Sequence, residues 1–249
     1  MKIKLSAIRF PKIIEVTDQK IDISAMTDLQ KEFYTDLFRE VVSVYESKNR
    51  PRVIVGLVGP TGSGKSVIAA LFKELSKQIP LPFNFETIGI DAFHFANDYL
   101  RAQKSESGTL KDNKGRFDTY DVVKLSKALE SFSAGQKVSF PVYSRKTHDP
   151  VENGITINQD RVLLFVEGLW LLYDRHGWER IGSYLDFSIF IEADADAVRE
   201  KVIKRHAKGG RSFEDALRYY DAVDAKNFNF VMQTKSSANK IISAYYKIQ

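Results

Sequence analysis

There is no cysteine among the 249 residues, which excludes structural disulfides, zinc held by thiolates and thiol catalysis. Long apolar runs are also missing. The longest candidate, VLLFVEGLWLLY (162–173), carries Glu167 and falls short of the ~20 residues that cross a bilayer. The opening MKIKLSAIRFPKII is broken by charge and has no small-residue cleavage site, so no signal peptide is expected. Repeats, low-complexity tracts and blocks of like charge are absent as well. A cytoplasmic protein without a membrane partner is the expectation. The formal charge of +5 comes from scattered Lys and Arg. It suits anionic small molecules, nucleic acid or acidic lipid and does not choose among them. With 43% hydrophobic residues, the chain can bury the core of one large α/β domain, alone or with an appendage.

Alternating strands and helices fill most of the chain. Residues 1–24 read as short strands, with alternation over 3–10 and a hairpin turn around Asp18–Lys20. A helix is expected over 26–48, capped by Thr27 with Gln30 three residues on. Its apolar stripe is Leu29, Phe33, Leu37, Val41, Val42 and Tyr45. After KNRPR at 48–52 come strands at 53–58, 86–90, 162–166, 187–191 and 240–244. Helices are expected at 65–78, 121–132, 177–183, 195–206 and 212–220. The strands are Val-, Ile- and Phe-rich without polar alternation, which marks a parallel sheet covered on both faces. The domain reading is an N-terminal extension, 1–50, packed on a 51–249 core. Segments near 101–117 and 205–215 are expected to be mobile.

Gly59, Pro60, Thr61, Gly62, Ser63, Gly64, Lys65 and Ser66 match G-x-x-x-x-G-K-[ST] between an apolar strand and a helix. The glycines let backbone N–H groups converge on one phosphate, and the helix start adds its positive end. Lys65 can reach β- and γ-phosphates, and the Ser66 hydroxyl can hold Mg²⁺. A nucleoside triphosphate is therefore the expected ligand. The guanine-reading N-K-x-D pattern is missing, since Asn239–Lys240 is followed by Ile-Ile. Asp112–Gly115 has D-x-x-G spacing but follows no apolar strand.

Ligands of an open parallel sheet sit beyond the carboxyl ends of its strands. Asp91 lies just past one strand and can take a proton from a hydroxyl or order a metal-bound water; a helix cap is the plainer role. His94 follows on the same turn, either as a substrate contact or as a packed histidine. Glu167 ends another strand, where it can hold a Mg²⁺-bound water, and Gly168 is read as a sharp turn. Tyr143, Arg145, His148 and Asp149 crowd into FPVYSRKTHDPVEN (140–153), read as a pocket-lining loop, with a polar hairpin as the alternative. Arg205 and Arg211 flank a Gly-Gly hinge and can close over phosphate, unless they mark a solvated helix face.

Together GPTGSGKS, DAFHFAN, KGRFDTYD, VSFPVYSRKTHDP, VEGLWLLYD and VREKVIKRHAKGGRS resemble the P-loop small-molecule kinases that include uridine kinase, phosphoribulokinase and bacterial-type pantothenate kinase. The likeness is strongest to their sugar ("fructose transport system") kinase-like members. That resemblance implies a P-loop NTPase three-layer α/β fold with a mainly parallel five-stranded sheet. It implies ATP and Mg²⁺ as cofactors, and phosphorylation of a hydroxyl on a sugar, nucleoside or pantothenate-like acceptor. It makes Asp91 the base, with Lys65, Glu167 and Arg205 in support. Ser66, Asp91 and Glu167 become the metal group, and His94, Tyr143, Arg145 and His148 face the acceptor. Arg211, Asp224 and Asn227 are placed at the nucleotide. No nucleic-acid partner is implied, and a homodimer stays open. The rival reading is a regulatory or plain NTPase that acts through residues 1–50.

Overall fold

The computed structural model describes residues 8–106 and 108–243; the alternation expected over 3–10 lies mostly outside them. In chain order the elements are β1 (Ile13–Val16), β2 (Gln19–Asp22), α1 (Asp28–Ser47), β3 (Arg52–Val58), α2 (Lys65–Ser76), β4 (Asn84–Gly89), α3 (Asn97–Ala102), β5 (Lys104–Ser105) and β6 (Gly108–Thr109). They continue with α4 (Val122–Ser133), β7 (Val138–Ser144), β8 (Asp149–Ile157), β9 (Val162–Gly168), α5 (Glu179–Tyr184), β10 (Phe187–Glu192), α6 (Ala195–Lys208), α7 (Phe213–Tyr219), α8 (Ala225–Gln233) and β11 (Lys240–Ser243).

The central sheet has five strands in the order β11-β10-β3-β9-β4, every neighbouring pair parallel. Because side chains alternate across a strand, β3 feeds two cores. Val53, Val55 and Leu57 meet α1 and α2 on one face. Ile54 and Val58 meet α4, α5, Trp170 and Trp178 on the other. Burial on both faces explains why these strands lack polar alternation. The register sets the site. Glu167 on β9 stands opposite Leu57 of β3 and Gly89 of β4. The phosphate loop, Glu167 and Asp91 therefore leave three adjacent strands at one level.

The β1–β2 hairpin and α1 pack into the α2-side core through Ile14, Val16, Leu37, Phe38 and Val41. Thr27 and Gln30 form the expected capping box: the Gln30 backbone N–H donates to Thr27 Oγ1 at 3.3 Å, and the Thr27 N–H to Gln30 Oε1 at 2.8 Å. The stripe is displaced from its expected course. Leu29 is 67% exposed, while Tyr34 and Phe38 are buried. The buried face of the first turn is taken by Gln30, which stands one turn before Tyr34, and Leu29 lies on the flank outside that face.

Two further corrections concern shape. FPVYSRKTHDPVEN is not a loop but most of an antiparallel hairpin, β7–β8, with a register shift between Phe140 and Val142. Pro141 and that bulge break the alternation that would have announced a strand. Gly168 gives no left-handed turn. It ends β9, where a Cβ would lie 2.4 Å from Ile90 Cδ1, so what it provides is room. The sequence reading contains no counterpart of α8, which follows α7 after a wide turn at Tyr220–Asp224. The described residues of 101–117 fold into the end of α3, the short β5–β6 pair and tight turns.

Thr27→Ala should cost about 1 kcal/mol by orphaning a helix-start donor, read as a lower urea midpoint with an unchanged slope.

Candidate active site

The phosphate loop joins β3 to α2. Gly62 and Gly64 have φ of 81° and 95°, values that side-chain-bearing residues rarely adopt. Lys65 is 6% exposed, and its Nζ donates to the Pro60 carbonyl at 2.9 Å. Burial lowers its pKa to about 8; Glu167 and then Asp91 draw it back up, and Arg205 pushes it down. Ser63 Oγ is buried without a partner, in keeping with a loop shaped for an anion. A Cβ on Gly62 would meet Val202 of α6 at 2.9 Å, so α6, which carries Arg205, packs directly on the loop.

Ser66 Oγ donates to Glu167 Oε1 at 2.8 Å. Burial raises the Glu167 pKa, Lys65 opposes that, and Asp91 adds to it. The Asp91 side chain is about half exposed (51%), and Tyr120 OH donates to its Oδ1 at 3.2 Å. Serine and carboxylate oxygens are hard donors that suit Mg²⁺. Among the described residues no group of three His, Cys, Asp or Glu could hold a metal. A Mg²⁺ ion here would therefore share Ser66, Glu167 and Asp91 with the oxygens of a bound phosphate.

His94 is buried, stacked on Tyr120 at 3.8 Å between centroids. Its Nδ1 lies 2.9 Å from the Thr119 carbonyl. A carbonyl only accepts, so Nδ1 carries the proton and Nε2 is bare. That Nε2 lies 4.0 Å from Asp91 Oδ1, the oxygen that accepts from Tyr120, and an unprotonated Nε2 can accept from a hydroxyl. Burial holds the His94 pKa at about 4, with Asp91 pulling it up and Lys114 pushing it down. Tyr143 is half-buried on β7, its phenol pKa raised by burial and by Asp91.

The structure thus gathers the phosphate loop, Asp91, Glu167, His94 and Tyr143, with Arg205 at their edge. Arg145 and His148 occupy the turn end of the β7–β8 hairpin. Arg211, expected at the nucleotide, stacks on Tyr219 at 4.0 Å and acts electrostatically on Lys111, Asp112 and His148. Asp224 and Asn227 are buried on protein partners. Asp224 pairs with His206 Nε2 at 2.8 Å, and Asn227 Nδ2 donates to the Gly115 carbonyl at 3.1 Å.

Sequence reasoning missed Thr119, Tyr120, Lys111 and Lys114. Lys114, Thr119 and Tyr120 had a signal, their place in the quoted KGRFDTYD motif, whereas Lys111 lies outside it. Trp170 Nε1 also donates to the Gly115 carbonyl, at 3.0 Å, and Tyr219 OH to the Lys114 carbonyl at 2.5 Å. The backbone at 114–115 is therefore clamped between the core and the α7–α8 unit.

A parallel five-stranded sheet with a phosphate loop, a strand-end Glu and a neighbouring strand-end Asp defines a P-loop nucleotide-binding protein of the kinase type. The sequence model of the phosphoribulokinase / uridine kinase family matches residues 54–247, and the chain belongs to that family. Membership is consistent with ATP-dependent phosphotransfer. The uncharacterized protein YggC of Escherichia coli K12 is 31% identical, over 92% of this chain and 93% of its own. A uridine kinase of Klebsiella pneumoniae is 30% identical, over 76% of this chain and 86% of its own. In fold, the chain matches a "putative fructose transport system kinase" from Silicibacter sp. TM1040 with a TM-score of 0.73. That match has 22% identity and covers 88% of this chain and 100% of the other.

Two outcomes follow. A Cβ on Gly89 would sit 2.9 Å from Glu167 Oε1. The far end of a side chain can yield, so Gly89→Ala should fold normally yet weaken Mg²⁺-dependent nucleotide binding about tenfold; calorimetry with and without Mg²⁺ reads this. For His94, an unfolded chain takes up a proton near pH 6.5 and the folded chain only near 4. The unfolded state binds more protons between these values. Stability is then full above 6.5 and falls as pH drops through the window, by up to about 3 kcal/mol. Urea titrations from pH 7 to 4.5 should show this slope, and His94→Gln should flatten it.

Proposed function

We propose that the chain moves the γ-phosphate of ATP to a hydroxyl of a small acceptor. The observation that carries the reading is the position of Asp91, a half-exposed carboxylate beside the phosphate loop. Tyr120 occupies one of its oxygens, and Nε2 of His94 helps frame the space in front of it. The acceptor hydroxyl would give its proton to Asp91 as its oxygen attacks the γ-phosphorus. The new O–P bond forms while the bond from the γ-phosphorus to the β,γ-bridging oxygen breaks, and ADP leaves. Little covalent chemistry is asked of the protein; alignment and charge neutralisation dominate.

Lys65 and the loop N–H groups would hold the β- and γ-phosphates, and Arg205 would add charge from α6. Mg²⁺, held with Ser66, Asp91 and Glu167, would neutralise developing charge on the phosphate oxygens. Tyr143 and the hairpin turn would wall the acceptor. We assign Asn227 and Arg211 to tying the α6–α8 unit to the acceptor loop, and Asp224 to bracing that unit internally through His206, rather than to reading the base. The apolar face of residues 13–47 is spent on the core, which favours catalysis at the carboxyl ends of the strands over action through the N-terminal segment.

Asp91→Asn tests the reading. Turnover should fall by about 10²-fold or more, the range of a lost general base, while ATP affinity by calorimetry changes little. Equal losses in both would make Asp91 a structural or metal-only residue.

A further inference from the structure

Lys111 and Lys114 converge on one neutral oxygen. Both ammonium groups donate to Asn97 Oδ1, Lys114 at 3.0 Å, and Lys114 also donates to the His148 carbonyl at 2.7 Å. Their nearby cations have partners of their own: Arg101 pairs with Asp98, and Arg116 with Asp118. Among the described residues, neither lysine has a carboxylate within 4.0 Å. Two like charges sharing one uncharged acceptor repel each other, and partly buried charges normally have counter-charges. Arg145 and Arg211 add to the field, since both act on His148 together with the two lysines. Burial, then Lys111, lowers the Lys114 pKa to about 8.

The mount is rigid. The Lys114 carbonyl accepts from Tyr219, and the next carbonyl accepts from Trp170 and Asn227. Asn97 is fixed in turn, its N–H donating to Asp149 Oδ1 at 2.8 Å and its Nδ2 to the Thr147 carbonyl at 3.3 Å. The seat lies on the hairpin side of Asp91. Lys114 Nζ stands 5.3 Å from the Tyr143 ring centroid, whereas the phosphate loop has its own cations, Lys65 and Arg205.

Resting on the kinase reading of this site, we propose that the acceptor carries an anionic group, a phosphate ester or a carboxylate, seated by Lys111 and Lys114 while its hydroxyl meets Asp91. Asp149 acts on both lysines and Asp91 on Lys114 from beyond ion-pair distance, so the charge is only partly countered, and a neutral sugar or nucleoside would leave the rest without a direct partner. The acceptor is then a sugar phosphate or a hydroxy acid, the product of an earlier phosphorylation or oxidation.

The test uses full-length protein saturated with Mg²⁺ and a non-hydrolysable ATP analogue, so that the phosphate loop is filled. Thermal unfolding is followed with added inorganic phosphate or acetate against chloride at equal ionic strength. At least one anion should raise the midpoint saturably. Phosphate alone points to a phosphate ester, acetate alone to a carboxylate. Lys111→Gln/Lys114→Gln should need at least tenfold more anion, with analogue affinity unchanged as the control for folding. Lys111→Gln alone should move the titration the same way by a smaller factor. If neither anion outdoes chloride, or if the substituted chains respond like the parent, the inference is overturned while the kinase reading stands. Failure of the parent to bind the analogue would overturn the kinase reading itself, and this inference with it.

Discussion

Everything at the site turns on the burial of Lys65. Its ammonium has lost nearly all contact with water and meets one carbonyl, with the Glu167 and Asp91 carboxylates close enough to draw its pKa upward. An ammonium so placed is stable only in the company of anions. The parallel sheet supplies that company: its register brings the ends of β3, β9 and β4 to one level. Glu167 is constrained in the opposite sense, its pKa raised by burial and restrained by Lys65. The phosphate loop and the carboxylates therefore form one electrostatically coupled unit, into which, on the kinase reading, phosphate and Mg²⁺ would enter together.

The hairpin side of Asp91 is built on a different constraint. The backbone at Lys114–Gly115 is held from the core by Trp170 and from the α7–α8 unit by Tyr219 and Asn227. The same α-helical unit continues back through α6 to the phosphate loop, where Val202 packs against Gly62. The phosphate loop and the 114–115 segment are thus joined through α6–α8. Phosphoryl transfer gains most from fixed alignment of its two substrates, and this connection provides a physical means for it.

Much of this was legible in the sequence, because the features that carry it are local. The glycines and lysine of GPTGSGKS lie next to one another, and the near-continuous apolar runs of β3 and β9 announce a sheet covered twice. The capping box at Thr27 is likewise a short-range pattern. What escaped notice depends on distant partners. Lys111 and Lys114 sit in a polar stretch with no period, and only folding brings them to Asn97. The β7–β8 hairpin was obscured by Pro141 and its bulge. Leu29 fits the apolar stripe of α1, yet the buried face of that turn is taken by its polar neighbour Gln30. Asp224 and Asn227 carry the right chemistry for a ligand, yet the fold spends them on His206 and Gly115.

The central claim is that phosphate is handed over rather than only released. The direct measurement is the fate of label from [γ-³²P]ATP, followed with Mg²⁺ across a library of hydroxyl compounds that includes sugar phosphates and hydroxy acids. The account predicts label recovered covalently on an anionic acceptor, with ADP formed in equal amount. Label found only as inorganic phosphate, at a rate no acceptor changes, would contradict it.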